Sequence, residues 1–232
     1  MKCGFVKFPT TPHLAFLGRA ALRGDKAFSE SEREEFLQSE IIVEEKIDGA
    51  NLGISFDSEG NLLVQNRGGY LVPPLNGQWK KLKEWLSRHV NSFFDILMGR
   101  YIVFGEWCYA RHSIFYNKLT DWFLGFDIYD RKRGKFLSVP ERNIFFPLAG
   151  IQKVPEIQTG RFTLNELAAL LTESRIGETS AEGLYLRVDS DSGLERRAKL
   201  VRPEFIQSIE RHWSKSRVEP NKLVLDVEHE GT

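Results

Sequence analysis

Residues 44–51 read EEKIDGAN, and the fold turns on how this stretch is read. It follows the apolar run Ile41, Ile42, Val43, whose β-branched residues suit a strand, and it runs into Asp48-Gly49, a turn signal. Successive side chains of a strand point to opposite sides, so Glu44, Lys46 and Asp48 are predicted to share one polar face. Asn51, just past the turn, is brought back toward the same place. Such a lysine is either a rung in a surface salt-bridge ladder or an amine with a chemical task, and its partners elsewhere must decide.

Outward from this point, residues 41–48, 51–57 and 61–67 are separated by Asp-Gly and Asp-Ser-Glu-Gly, and Leu52, Ile54 and Phe56 alternate with Asn51, Gly53 and Ser55. This predicts an antiparallel meander with one buried face. Upstream, SESEREEFLQ (29–38) carries a serine N-cap and early acidic residues, the signature of a short helix. Downstream, Trp79, Leu82, Trp85, Leu86 and Val90 fall at helical spacing, and 101–107 and 122–130 read as aromatic-rich strands. Arg131–Lys135, RKRGK, reads as a hairpin turn rather than a binding patch. Thr163 and Glu166 form a capping box for a helix through Leu171, and 182–189 with 196–202 make a closing hairpin. Pro203 opens a last helix with Phe205, Ile206, Ile209 and Trp213 on one stripe, followed by a peripheral tail from Leu223.

The whole chain of 232 residues, 41% hydrophobic and 28% charged, has the composition of one globular domain spanning 1–232, with 203–232 as a C-terminal helix and tail. No run approaches the roughly 18–20 apolar residues that a membrane span needs, and the start, MKCGFVKFPTTPHL, lacks the apolar core of a secretion signal. A cytoplasmic protein is expected. Its two cysteines, Cys3 and Cys108, are read as reduced packing residues. Zero formal net charge argues against coating nucleic acid through bulk charge but permits a local basic track. The five histidines show no metal-ligand spacing; His13, His89, His212 and His229 are unassigned, and His112 stands where it could line a site near Glu106.

Partners for Lys46 then appear in order: Arg67 in QNRGG, Glu106 in FGEWCYARH, Phe126 in FLGFDIYD, Glu182 in EGLYLR and Lys199 in RRAKLVR, each placed by the pattern at a strand position. Singly these are unremarkable. Together they supply what nucleotidyl transfer through a covalent lysine requires. A free lysine, pKa near 10.4, is protonated at neutral pH and attacks phosphorus only if neighbouring cations and burial depress that value. Arg67, Lys199 and a bound Mg²⁺ are expected to do so while holding a triphosphate. Glu182 is a hard-oxygen ligand for the metal, Glu106 can accept from ribose hydroxyls, and Phe126 can stack on a purine.

In order and approximate spacing, KIDG (46–49), NRGG (66–69), FGEW (104–107), FLGFDIYD (123–130), EGLYLR (182–187) and RAKLVR resemble the motifs of the lysine-dependent nucleotidyltransferases, the superfamily of DNA ligases, RNA ligases and capping enzymes. EKIDGAN and ARHSIFYNKLTDWFLGFDIYD look most like the RNA ligase 2 type, over residues 41–205. The resemblance implies an α+β fold, antiparallel sheets flanked by helices, of the ATP-grasp-like ligase catalytic core. It implies ATP with Mg²⁺, or Mn²⁺, and a nucleic-acid partner, RNA by preference, as a nicked duplex or broken strand. Lys46 would form lysyl-AMP, Asp48 support the reacting site or the metal, and Asn51 and Arg67 contact phosphate or strand ends. Glu106 would hold the ribose, Phe126 the adenine face, Glu182 the metal and Lys199 the α-phosphate. Either Glu44 or Glu45 would read the adenine edge.

Two departures stand out. The last motif usually offers two lysines two residues apart, and here the earlier is Arg197, which keeps charge and phosphate affinity but has no proton role. No OB fold or large helical domain is expected after the core, and grip on substrate is then expected from the core surface or a protein partner. The competing expectations are a DNA ligase, a guanylyl-transferring capping enzyme, and a non-catalytic nucleotide- or nucleic-acid-binding module.

Overall fold

The computed structural model of the chain describes residues 4–18, 26–208 and 218–224. Chain order runs α1 (Glu30–Leu37), β1 (Ile41–Lys46), β2 (Ala50–Phe56), β3 (Leu62–Gln65), a 3₁₀ turn (Gly77–Trp79), α2 (Leu82–Leu97), β4 (Tyr101–Trp107), β5 (Phe123–Asp130), β6 (Lys135–Phe136) and α3 (Val139–Leu148). It continues through β7 (Gln152–Lys153), β8 (Glu156–Gly160), α4 (Leu164–Ala169), β9 (Gly183–Ser190), β10 (Gly193–Val201) and α5 (Pro203–Ser208).

Local signals start and stop these elements. Ser29, Ser138 and Thr163 each accept from the amide three residues on, while Glu32, Glu141 and Glu166 reach back, so α1, α3 and α4 all open on capping boxes. The RKRGK turn closes as a hairpin: Asp130 accepts from the amides of Lys132 (2.8 Å) and Arg133 (3.2 Å), and Gly134 takes φ +67°. The stripe expected on α2 is present and continues to Leu97, burying Leu82, Trp85, Leu86, Phe93 and Leu97.

The strands form two sheets rather than the expected meander. One has the order β10-β9-β1-β8; the other runs β3-β2-β4-β5-β6, with β7 beside β5. The chain therefore changes sheets at Ile47–Gly49. Gly49 makes the crossing possible: a Cβ there would lie 2.8 Å from the Trp107 carbonyl oxygen and 2.9 Å from Glu106 Cγ. Without one, the backbone lies flush on β4, and β2 starts in register with it, Ala50 opposite Trp107, instead of folding back on β1.

Two helical layers cover the sheets. Ile41 and Val43 join Phe36, Leu167, Leu184, Leu186 and Leu200 beneath α1 and α4, while Leu52, Ile54, Phe56 and Val103 pack on Trp85, Leu86 and Phe93 of α2. Phe8, Ile102 and Phe104 form a separate apolar cluster with Phe126 and Phe136.

Several expectations are corrected. The first strand ends at Lys46, so Asp48 lies beyond it, and Glu44 faces no solvent: it is fully buried. The third strand ends at Gln65 because Asn66 Oδ1 accepts from the amides of Gly68 (2.8 Å) and Gly69 (3.0 Å), which leaves Arg67 in a turn. Helix α3 and strands β7 and β8 were not anticipated. Asn221, just before the expected tail, is buried, accepting from Tyr116 N (2.9 Å) and donating to the Cys108 carbonyl (2.7 Å), and Leu223 packs on that cluster. Cys108 is a buried free thiol, as expected; Cys3, Ile209, His212, Trp213 and His229 lie outside the described residues. Among the described residues no helix is long and apolar enough to cross a membrane.

Substituting Gly49→Ala forces β2 away from β4. The expected loss is about 1–3 kcal/mol of stability in chemical denaturation, the usual magnitude for overpacking. A midpoint equal to that of the parent protein would contradict the close approach.

Candidate active site

The two sheets enclose a cleft, and the crossing at residues 46–50 forms part of its wall. Lys46, Ile47 and Asn51 line it from the crossing, Arg67 from the turn after β3, and Glu106 and Phe126 from β4 and β5. Glu45, Glu182, Tyr185 and Lys199 enter from the other sheet, with Val154 and the N-terminal residues Phe8, Thr10 and Thr11 completing the wall. Residues scattered from position 45 to position 199 of the sequence thus meet in one place.

Register explains the central contact. Lys46 pairs with Gly183, so Glu182, one residue before β9, stands beside the end of β1. Lys46 Nζ lies 2.8 Å from each Glu182 carboxylate oxygen. Burial pulls the Lys46 pKa down, but Glu182, Glu106 and Asp48 outweigh burial and hold it above the ordinary lysine value. The expected depression by neighbouring cations is therefore not found: the carboxylates around the amine outweigh burial. Those acids are themselves perturbed. Burial pushes Glu106 up to about 8 and Glu182 up to about 7, partly offset by Lys46.

Asp48 has a different task from the one expected. Its Oδ2 accepts from the amides of Ser113 (2.7 Å) and Ile114 (2.9 Å), its own amide donates to the Tyr116 hydroxyl (2.8 Å), and it is not among the cleft-lining residues. It anchors the crossing to the 108–119 loop. His112 belongs to the same support: Nε2 is 2.9 Å from Gln78 Oε1 and Nδ1 is 4.0 Å from Asp48 Oδ1. Glu106 does not pair with Arg111, which instead meets Glu219 at 3.1 Å.

The structure separates Glu44 from Glu45 by position. Glu45 lines the cleft, its carboxylate held by Ser174 Oγ (2.5 Å) and the Arg175 amide (2.9 Å), with burial raising its pKa. Glu44 is enclosed and bonded to Arg142. Arg197 is also absent from the cleft lining. Its guanidinium lies over the Phe136 ring at 4.2 Å and the Phe8 ring at 5.0 Å, and Nη1 reaches Tyr185 Oη (3.3 Å) and Asp127 (3.4 Å). The planar fork is drawn into an aromatic stack that an ammonium would fit less well.

Phe126 lines the cleft half-buried, with Phe8 at 5.2 Å and Tyr185 at 6.3 Å between ring centroids. Asn51 presents a buried amide oxygen with no hydrogen-bond partner among the described residues, an acceptor available to a ligand. The N-terminal wall went unread because Pro9 and Pro12 break any strand pattern, although backbone bonds from Lys199 N to Pro12 O (2.8 Å) and from Leu14 N to Lys199 O (2.8 Å) lay that segment alongside β10. Tyr185 is identifiable only from pairing, since it stands opposite both Glu44 and Lys199.

Comparison with known proteins gives the family and the fold. The family model described as RNA ligase matches residues 39–201, and the chain belongs to that family. No curated protein matches. Among solved structures, a Naegleria gruberi RNA ligase variant with ATP and Mn superposes with a TM-score of 0.59 at 18% identity, covering 75% of this chain and 53% of that one. A second variant with ATP and Mn gives 0.64 at 15% identity, covering 89% and 59%. A third, with AMP and Mn, gives 0.59 at 19% identity, covering 77% and 54%. This chain thus spans a little over half the length of those structures. At such identities the likeness carries the fold, an α+β nucleotidyltransferase core.

The carboxyl shifts have a measurable consequence. The folded protein keeps a proton on Glu106 up to about pH 8, whereas an unfolded carboxyl loses it near its ordinary value of 4.5. Between those values the native state binds more protons, so stability falls as pH rises. Glu106→Gln removes this penalty: its melting temperature should exceed that of the parent by a margin that widens from about pH 5 to about pH 8.5. A margin independent of pH would contradict the assignment.

Proposed function

We propose that the protein is an ATP-dependent RNA ligase whose nucleophile is Lys46, built on one nucleotidyltransferase domain. The observation that carries this reading is the convergence on one cleft of a lysine, its carboxylate partner Glu182, two further cations and an aromatic wall.

In this reading the purine lies against Phe126, with Glu45 at its edge, Glu106 accepting from the ribose hydroxyls and Asn51 facing the phosphate. Arg67 and Lys199 neutralise the phosphates. Lys46 Nζ bonds to the α-phosphorus as the bond from that phosphorus to the β-phosphate bridging oxygen breaks, and pyrophosphate leaves. Nζ first gives up its proton, and Glu182, 2.8 Å away and poised at about 7, is the adjacent acceptor. The adenylate then passes to a 5′-phosphate, and a 3′-hydroxyl displaces AMP.

A divalent cation is part of the proposal, Mg²⁺ or Mn²⁺. Among the described residues no cluster of three or more His, Cys, Asp or Glu is arranged to hold one. That suits Mg²⁺ held mainly by phosphates and water with one protein carboxylate. Glu182 fits that role from the cleft wall, whereas Asp48, which does not line the cleft and whose Oδ2 accepts from two amides, is placed to brace the crossing. The bound ion would supply positive charge that spreads the charge developing on phosphorus and competes with the Lys46 ammonium for Glu182.

RNA with a nick or break is the proposed substrate, and a protein partner that adds grip remains part of the reading. A cytoplasmic setting accords with the unpaired buried thiol of Cys108.

Incubation with Mg²⁺ and α-labelled ATP or GTP provides the test. ATP should label the chain, GTP should not, Lys46→Ala should take up none, and labelled protein should seal nicked RNA. Preferential labelling by GTP would assign a capping activity; label retained by Lys46→Ala would refute the nucleophile.

A further inference from the structure

Below the cleft lies a network of buried charge that the proposed reaction does not use. Arg142, on α3, is fully buried and is not among the residues that line the cleft. Its Nη2 donates to Glu44 Oε1, while Nη1 donates both to the Phe126 carbonyl and to Glu44 Oε2 (3.3 Å). Glu44 belongs to β1 and Phe126 to β5, so one guanidinium joins strands of different sheets.

We infer that Arg142 is a positioning residue: it clamps Glu44 to the Phe126 carbonyl and thereby sets the spacing between the nucleophile Lys46 and the base-stacking ring. The inference rests on the reading of Lys46 and Phe126 given above. Glu44 and Lys46 are two residues apart on one strand and point to the same side, so a shift of β1 at Glu44 moves the amine with it. Phe126 is held through its own main chain, and the restraint acts on the ring without occupying its face. A second guanidinium shares the carbonyl: Arg187 Nη1, from β9, lies 3.2 Å from Phe126 O and also bonds Asp127. Two guanidiniums thus tie β1 and β9 of one sheet to the Phe126–Asp127 segment of β5 in the other.

Packing alone does not call for such an arrangement. Burying a charged pair is commonly no better for stability than apolar residues of similar volume. What the pair adds is direction. The planar fork holds two carboxylate oxygens and a carbonyl at once, a geometry that lysine's single ammonium does not reproduce. Helix α3 presents Arg142 one turn from its capped start, where Val139 N donates to Asp189 Oδ2 (2.5 Å) and fixes the helix end to the segment bearing Arg187.

The test compares Arg142→Lys with the double variant Glu44→Leu/Arg142→Met, which removes both charges and leaves none unpaired. Thermal unfolding is measured together with single-turnover lysyl-AMP formation over a range of ATP concentrations, and the crystal structure of whichever variant crystallises is solved. The double variant should melt close to the parent yet form lysyl-AMP about 100-fold more slowly at saturating ATP, the scale of a 1 Å misplacement. Arg142→Lys should show the same loss of rate, with half-saturating ATP changed by less than about 3-fold. Each variant structure should show Phe126 displaced relative to Lys46. If either folded variant labels at the parental rate, or keeps the parental spacing, the clamp is overturned. A parent protein that takes up no label would instead overturn the ligase reading, and the variant structures would then decide the clamp by themselves.

Discussion

The contact on which the site depends is the ion pair between Lys46 and Glu182. Antiparallel register fixes it: β1 and β9 run side by side, and the last residue of one meets the residue before the first of the other. Exposed pairs of this kind contribute little to stability. Here Lys46 Nζ sits among three partly enclosed carboxylates, and the pair decides protonation and direction instead. It holds the amine in its charged form and places a carboxylate in direct contact with the Lys46 nitrogen.

Two architectural choices make the pair possible. The chain leaves one sheet at Lys46 and enters the other at Ala50, so the amine emerges at the seam between the layers, in a cleft lined by side chains of both sheets. Asp48, held by the 108–119 loop, then stiffens the crossing, and the loop is itself tied down by Asn221. Residues read as reactive groups along the motif thus divide into those that face the cleft and those that brace it. Burial first, and neighbouring acids second, raise the Glu106 and Glu182 carboxyls, so enclosing them works against folding, as expected where function and stability compete.

Much of this was legible because it is local. The serine cap at Ser29, the capping box at Thr163, the RKRGK hairpin and the aromatic strands read at 101–107 and 122–130 are written in neighbouring residues, and the structure keeps them with an end shifted by one residue. Ordered charged motifs likewise identified Lys46, Asn51, Arg67, Glu106, Phe126, Glu182 and Lys199 as companions, and all of them line the cleft. What was illegible is what depends on pairing. An Asp-Gly turn reads as a hairpin unless Trp107 is known to press against Gly49, so the sheet change was missed. Alternation placed Glu44 correctly beside Lys46 but could not show Arg142 beneath it. Arg197 was expected at phosphate because nothing in its own segment reveals Phe8 and Phe136 on either side of it. The N-terminal wall was hidden by its prolines.

A titration of the Lys46 side-chain nitrogen by NMR, in the parent protein and in Glu182→Gln, tests most directly whether the Glu182 contact governs the nucleophile. With Glu182 present, the amine should titrate above an ordinary lysine; with its charge removed and burial unchanged, the midpoint should fall clearly below the parental value. Identical titrations in the two proteins would show that the carboxylate does not control the amine, and the account of the site would fail.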